Sequence, residues 1–167
     1  KRFSIKDYTR SDLSDHAKQT IADYDNATLY NDFVLSKIVE RFRNKEAVVV
    51  YLSDHGEDCY GKDVDMAGRL TEVENIDVKK YHEEFEIPFW IWCSPAYRQR
   101  HHKIFIEIMK ARHNKFMTDD LPHLLLYLAG ISTKEYKAER NVISPRFNNK
   151  RPRLVLNSID YDKALHQ

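Results

Sequence analysis

The chain has 167 residues, with 27 Lys+Arg against 26 Asp+Glu, 12% aromatic residues and a mean hydropathy of -0.66. A formal charge of +1 gives no field that would coat a nucleic acid or hold a polybasic membrane surface. Ten Tyr, eight Phe and two Trp beside only four Gly and five Pro exclude a disordered or low-complexity chain, so one compact domain over 1–167 is expected.

The opening KRFSIKDYTRSDL is basic but has no apolar run behind it, so it is not a signal peptide. It lacks an initiator Met, which reads as a piece of a longer protein. From 15 to 44, Ile21, Leu29, Phe33, Ile38 and Phe42 fall near helical spacing with no Pro or Gly between them, which predicts one long helix or two abutting ones. Tyr24, Asp25, Asn26, Asn31 and Asp32 lie along this helix and either hydrogen-bond a neighbouring segment or form its wet face. The run AVVVYLS at 47–53 carries no charge on either face, as a central strand covered by helices on both faces would. A polar stretch over 54–84 follows, holding Gly56, Gly61 and Gly68, and reads as a long functional loop.

EIPFWIWC at 86–93 predicts a second buried strand, with Pro88 marking its start or an edge. Residues 97–112 read as helical. A further helix starts at 119 with Thr118 as its cap, carries Pro122 early and ends at Gly130 in a left-handed conformation. RLVLNSI at 153–159 is the last predicted strand, after the basic stretch Arg146, Lys150, Arg151 and Arg153, which reads as a solvated face before a phosphate contact. Alternating strands and helices predict an α/β architecture with a largely parallel sheet. The longest apolar runs, 48–52, 87–92 and 124–131, fall far short of the ~20 residues that cross a bilayer.

The chemistry concentrates in Ser53-Asp54-His55-Gly56-Glu57, directly after the first strand, where ligands bind in open α/β sheets. Asp54 and His55 offer an anionic oxygen and a neutral imidazole nitrogen, a pair of zinc ligands, against the plainer alternative of a capping Asp and a loop His. Gly56 allows a sharp turn or a close approach to a metal or phosphate. His82, in YHEEFE, is a lesser candidate for a ligand or phosphate contact. His101 and His102 read as surface, and His123 as packing. Cys59 and Cys93 lack the spacing of a redox or zinc motif and are either bridged or two free thiols.

The runs IADYDNATLYNDFVLSKIVERF, VVVYLSDHGE, FEIPFWIWCS and DDLPHLLLYLAGI resemble, in order and separation, the carboxy-terminal half of sulfatase-like proteins of the alkaline phosphatase superfamily. Within that group the YDNA…LYNDF helix looks most like the phosphoethanolamine transferases that modify lipid A. The resemblance implies a partial alkaline-phosphatase-like domain, a three-layer α/β sandwich with a largely parallel central sheet. It also implies that Asp54 and His55 are two of four zinc ligands, while an acidic ligand and the threonine nucleophile lie in an amino-terminal half that no stretch of this chain matches. No catalytic nucleophile is therefore expected here, and the chain alone is expected to be inactive. Family members carry a histidine about a dozen residues after the DHGE turn, near the substrate phosphate; here that region reads MAGRLTEVEN, and His82 is the nearby substitute.

By the same resemblance the partners are a phospholipid donor, a lipid A-type acceptor and the missing amino-terminal half. The complete protein would sit at the periplasmic face of the inner membrane, anchored by segments absent from this soluble chain. Two alternatives stay open: a sulfatase, phosphodiesterase or phosphoglycerol transferase of the same superfamily, and a non-catalytic interaction domain using the 60–84 loop and the basic stretch.

Overall fold

The first predicted helix forms unbroken as α1 (Asp15–Phe42), capped by Ser14, whose hydroxyl accepts from the Ala17 amide at 3.1 Å. The computed structural model describes residues 2–70 and 76–166. The chain divides into two compact units, Lys1–Arg43 with Val49–Trp92 and Asn44–Val48 with Cys93–Gln167.

In the first unit the polar groups of α1 hold neighbouring segments. Asp25 accepts from the Tyr8 hydroxyl at 2.6 Å, Asn26 pairs with both the amide and the carbonyl of Phe3 at 2.8 and 2.9 Å, and Asn31 donates to the Tyr51 hydroxyl at 3.1 Å. The only fully buried side chains of α1 are Ala17 and Ala22. The strand β1 (Val48–Leu52) leads into the polar loop, where β2 (Asp58–Cys59) and β3 (Ala67–Gly68) form a short antiparallel ladder. Part of the region expected to lack the family histidine, 71–75, lies outside the described residues. A 3-10 turn, His82–Glu84, precedes β4 (Phe89–Cys93), which pairs with β1.

That pairing corrects two expectations. The Ser53 amide bonds the Pro88 carbonyl at 3.3 Å, and the Ser94 amide bonds the Ala47 carbonyl at 2.9 Å, so the end of one strand meets the start of the other and the pair is antiparallel. A parallel pair needs a crossover, usually a helix, and among the described residues 53–88 hold only short strands and one 3-10 turn. The second correction is burial. Every residue of β1, and all of β4 except Cys93, is half-exposed rather than covered on both faces.

In the second unit the helix predicted over 97–112 is two, α2 (Pro95–Arg100) and α3 (His102–Ala111), separated at His101 with φ -112° and ψ 45°. The ring at this break is held by Glu46 at 2.8 Å and stacks on Tyr97. The predicted cap at Thr118 is displaced, because Thr118–Asp120 forms a 3-10 turn before α4 (Leu121–Leu128). Its end follows the expectation. Gly130 has φ +67°, and the amides of Gly130 and Ile131 bond the carbonyls of Tyr127 and Leu126, a Schellman motif.

The predicted last strand is instead a hairpin of β5 (Leu154–Val155) and β6 (Ile159–Asp160), followed by α5 (Tyr161–Ala164). Leu156 and Asn157 both take positive φ, 51° and 60°, and the Ser158 amide bonds the Val155 carbonyl at 3.2 Å, the geometry of a type I′ turn. Nor is the basic stretch wholly a solvated face. Arg151 is bonded to Asp119 and Asp120, and Arg153 to Asp162. Leu124, Val142, Ile143 and Tyr161 are among the buried residues of this unit.

Candidate metal centre

The turn after β1 presents Asp54 and His55 side by side. The Asp54 carboxylate accepts from the His55 amide at 3.1 Å, and its side chain is 86% exposed. His55 Nδ1 lies 2.9 Å from the Gly56 carbonyl. A carbonyl oxygen only accepts, so in the neutral ring Nδ1 carries the proton and Nε2 keeps its lone pair. That Nε2 lies 3.7 Å from Asp54 Oδ2. Two ligands of a zinc tetrahedron with bonds of ~2.0–2.1 Å stand about 3.3–3.4 Å apart, so a few tenths of an ångström separate this pair from coordinating spacing. A backbone carbonyl fixing the second ring nitrogen is the usual support for a metal-binding histidine.

Gly56 fixes the path of this turn for a reason its type alone does not disclose. A Cβ there would lie 1.9 Å from the Glu83 carbonyl oxygen and 2.7 Å from that of Glu86. The Gly56 amide donates to the Glu84 carbonyl at 3.2 Å. The close approach that excludes a side chain is thus to the backbone of 83–86, and it sets the residue after His82 against the residue after His55. His82 itself directs Nδ1 at the Lys79 carbonyl, 3.1 Å away.

Three residues after His55 comes a group that the residue pattern did not single out. Asp58 is 1% exposed, and neither carboxylate oxygen has a hydrogen-bond donor. Burial first, then the neighbouring Glu83 and Glu84 carboxylates, push its pKa up to about 6. Glu84 accepts from the Leu70 amide at 2.9 Å. The only sequence signal was the density of acidic residues on both sides of the loop, which is common to solvated loops.

Among the described residues no group of three or more His, Cys, Asp or Glu side chains is placed to hold a metal ion. Asp54 and His55 suit zinc in donor type and stand a few tenths of an ångström from the spacing of two ligands. The remaining candidates fall elsewhere. His101 is bonded to Glu46, and His123 accepts from the Lys137 amide beside the Tyr136 ring, the packing role expected of it. Cys59 and Cys93 are free thiols, each pushed up by burial. No helix among the described residues is long and apolar enough to cross a membrane.

The family model described as Sulfatase matches residues 1–131. Phosphoethanolamine transferase EptC of Escherichia coli (strain K12) is 32% identical over 143 residues, which cover 84% of this chain and 23% of that protein. Phosphoethanolamine transferase EptA of Salmonella typhimurium is 29% identical over 133 residues, again 23% of its length, so the chain spans about a quarter of these relatives. The C-terminal periplasmic domain of EcEptC from Escherichia coli, solved alone and in complex with Zn, superposes with a TM-score of 0.72 at 28% identity over 93% of this chain. The match covers 44% of the chain solved alone and 43% of the zinc complex.

Proposed function

This chain belongs to the sulfatase family, and we propose that it forms the carboxy-terminal part of the catalytic domain of a zinc-dependent phosphoethanolamine transferase that modifies lipid A or a related cell-envelope glycolipid. The observation that carries the reading is the Asp54–His55 pair, with His55 Nε2 free and turned toward Asp54 Oδ2 at 3.7 Å. The names of the relatives support the transferred group, and the zinc complex of the EcEptC domain supports the metal.

In this reading Asp54 and His55 hold the zinc together with ligands from residues outside this chain. Zinc, when bound, supplies a Lewis acid that neutralises charge on phosphoryl oxygens and activates a hydroxyl. The chain's own contribution is positional. The carbonyl of Gly56 holds the His55 ring in one tautomer, and the clamp of 83–86 on Gly56 fixes where both ligands point. His82 is the proposed contact to the substrate phosphate, since its imidazolium form would donate from Nε2 to a phosphoryl oxygen while Nδ1 donates to the Lys79 carbonyl. The nucleophile is a threonine outside this chain that carries the phosphoethanolamine covalently between donor phospholipid and acceptor.

The remaining strands of a three-layer, largely parallel sandwich come from the same missing part, and residues 1–167 are one piece of that larger domain. The complete protein works at the periplasmic face of the inner membrane. The test is intact mass, zinc content and transfer from phosphatidylethanolamine to lipid A for the product of the native gene. A longer polypeptide is expected, with near-stoichiometric zinc and transfer that Asp54→Ala lowers by at least about 100-fold. The 167-residue chain alone is expected to show no turnover. Zinc-dependent turnover by that chain, or a native product that takes up no zinc, would overturn the proposal. Hydrolysis of a sulfate ester in place of transfer would favour the sulfatase reading, for which the family match is the supporting observation.

A further inference from the structure

Asp58 and Glu84 are both nearly sealed from water, at 1% and 8% exposed, and their carboxyl groups stand within hydrogen-bonding reach of each other. Glu84 Oε1 accepts from the Leu70 amide at 2.9 Å, whereas among the described residues neither oxygen of Asp58 has a donor. Glu83 closes a third side. A Cβ on Gly61 would lie 3.2 Å from Glu83 Oε2 and 3.4 Å from Asp58 Oδ1, so a residue without a side chain lets the two acids gather against the loop. Of the charged groups that act on Asp58, Glu83 and Glu84 disfavour its ionised form, and His82 of the same turn favours it. Asp25 of α1 and Glu57 act instead on the neighbouring Cys59.

Two buried carboxyl groups in contact cannot both ionise without a cation or a proton between them. Among the described residues no group of three or more His, Cys, Asp or Glu is placed to hold a metal ion, and a proton needs no cavity. We propose that Asp58 and Glu84 share one proton, and that this bond makes Asp58 a positioning residue for the metal turn. Glu84 connects the parts. Its backbone carbonyl accepts from the Gly56 amide at 3.2 Å, beside His55, and it ends the 3-10 turn that begins with His82. With the proton in place, Asp58 donates to Glu84 and β2 is tied to the turn that clamps Gly56. Without it the two carboxylates repel, and the Gly56 contact is the next bond to loosen. Burial and the like charges hold this proton up to about pH 6, so the tie is closed in acid and opens as pH rises. The shared proton requires no metal, and only its effect on transfer rests on the functional reading above.

The test is a titration of the complete native-gene product from pH 5 to pH 8, as wild type, Asp58→Asn and Glu84→Gln, with metal content measured throughout. Infrared difference spectroscopy reads the proton directly. The carbonyl stretch of a buried carboxylic acid is expected to fade through about pH 6 in the wild type and to be absent from Asp58→Asn. In Glu84→Gln, which removes one like charge, it should fade at lower pH, toward the ordinary carboxylate range. After correction for intrinsic rates, the Gly56 and Leu70 amides are expected to open about 10-fold more often at pH 8 than at pH 5 in the wild type. In Asp58→Asn, whose amide keeps the bond to Glu84 at every pH, the two values should agree. The ratio of kcat/KM for transfer, Asp58→Asn over wild type, should rise across the same range, which a merely structural role would not produce. An Asp58 carboxyl ionised throughout, or wild-type exchange that ignores pH, overturns the proposal. So does a second metal equivalent that Asp58→Asn releases, which would make a cation the occupant. Zinc and transfer with Asp58 ionised throughout overturn the shared proton alone. The expected titration in a product that takes up no zinc overturns the functional reading alone.

Discussion

Asp58 and Asp120 are equally hidden, 1% and 2% exposed, and the chain treats them in opposite ways. Asp120 accepts from Arg140 Nε, which is closely bonded to it, and from Arg151 Nη1 at 3.0 Å, while Asp119 beside it accepts from Arg151 Nη2 at 2.5 Å. These charged pairs tie the 3-10 turn before α4 to two later segments. Asp58 has no donor and faces the carboxylates of Glu83 and Glu84. A buried charge that is paired and hydrogen-bonded clamps a fold, whereas one left unpaired beside like charges opposes it. The opposed group lies three and four residues from the candidate metal ligands His55 and Asp54, where local rules are most often broken in favour of function.

Breaking the clamp should have the largest effect. Asp120→Ala removes the buried one of the two carboxylates that Arg140 and Arg151 share, leaving both on Asp119, and is expected to destabilise the chain by about 3 kcal/mol, read by urea denaturation. Gly56→Ala drives a methyl into the Glu83 carbonyl and should cost about 2–3 kcal/mol together with zinc uptake by the complete protein. An unchanged denaturation midpoint would mean that the 83–86 backbone yields.

Asp58→Asn should act in the other direction, stabilising at pH 7 by about 1 kcal/mol, because the amide can donate to Glu84 and carries no charge. The raised pKa means that the folded chain binds this proton more tightly than the unfolded chain. Stability from this group is therefore full below the ordinary value of 3.8 and declines as pH rises to about 6. The Asn variant should lose that slope and gain nothing at pH 4. Asp119 and Asp162 act oppositely, being held low by Arg151 and Arg153, so what they add is lost as pH falls below the ordinary carboxylate range. The smallest effect belongs to Asp54→Ala. Its side chain is 86% exposed, so stability should change by less than about 0.5 kcal/mol while zinc binding by the complete protein is abolished.

The legible parts of the chain were those that local pattern decides. Apolar spacing without a breaker marks α1, and a left-handed glycine marks the end of α4. Side-by-side ligand types after an apolar strand mark Asp54 and His55. Helix α2 ends at His101 through a contact with Glu46, 55 residues away in sequence, and no window around 97–112 contains that partner. The hairpin at 154–160 was hidden because Leu156 holds a positive φ that residues of its type rarely take.

Periodicity determined where α1, β1 and β4 form, since each depends on neighbours within a few residues. Tertiary structure alone decided that β1 and β4 run antiparallel, because direction depends on which strand ends meet. It alone buried Asp58 without a donor and gave Asp120 two arginines. The same residue type, equally buried, takes its energy from groups that are distant in sequence.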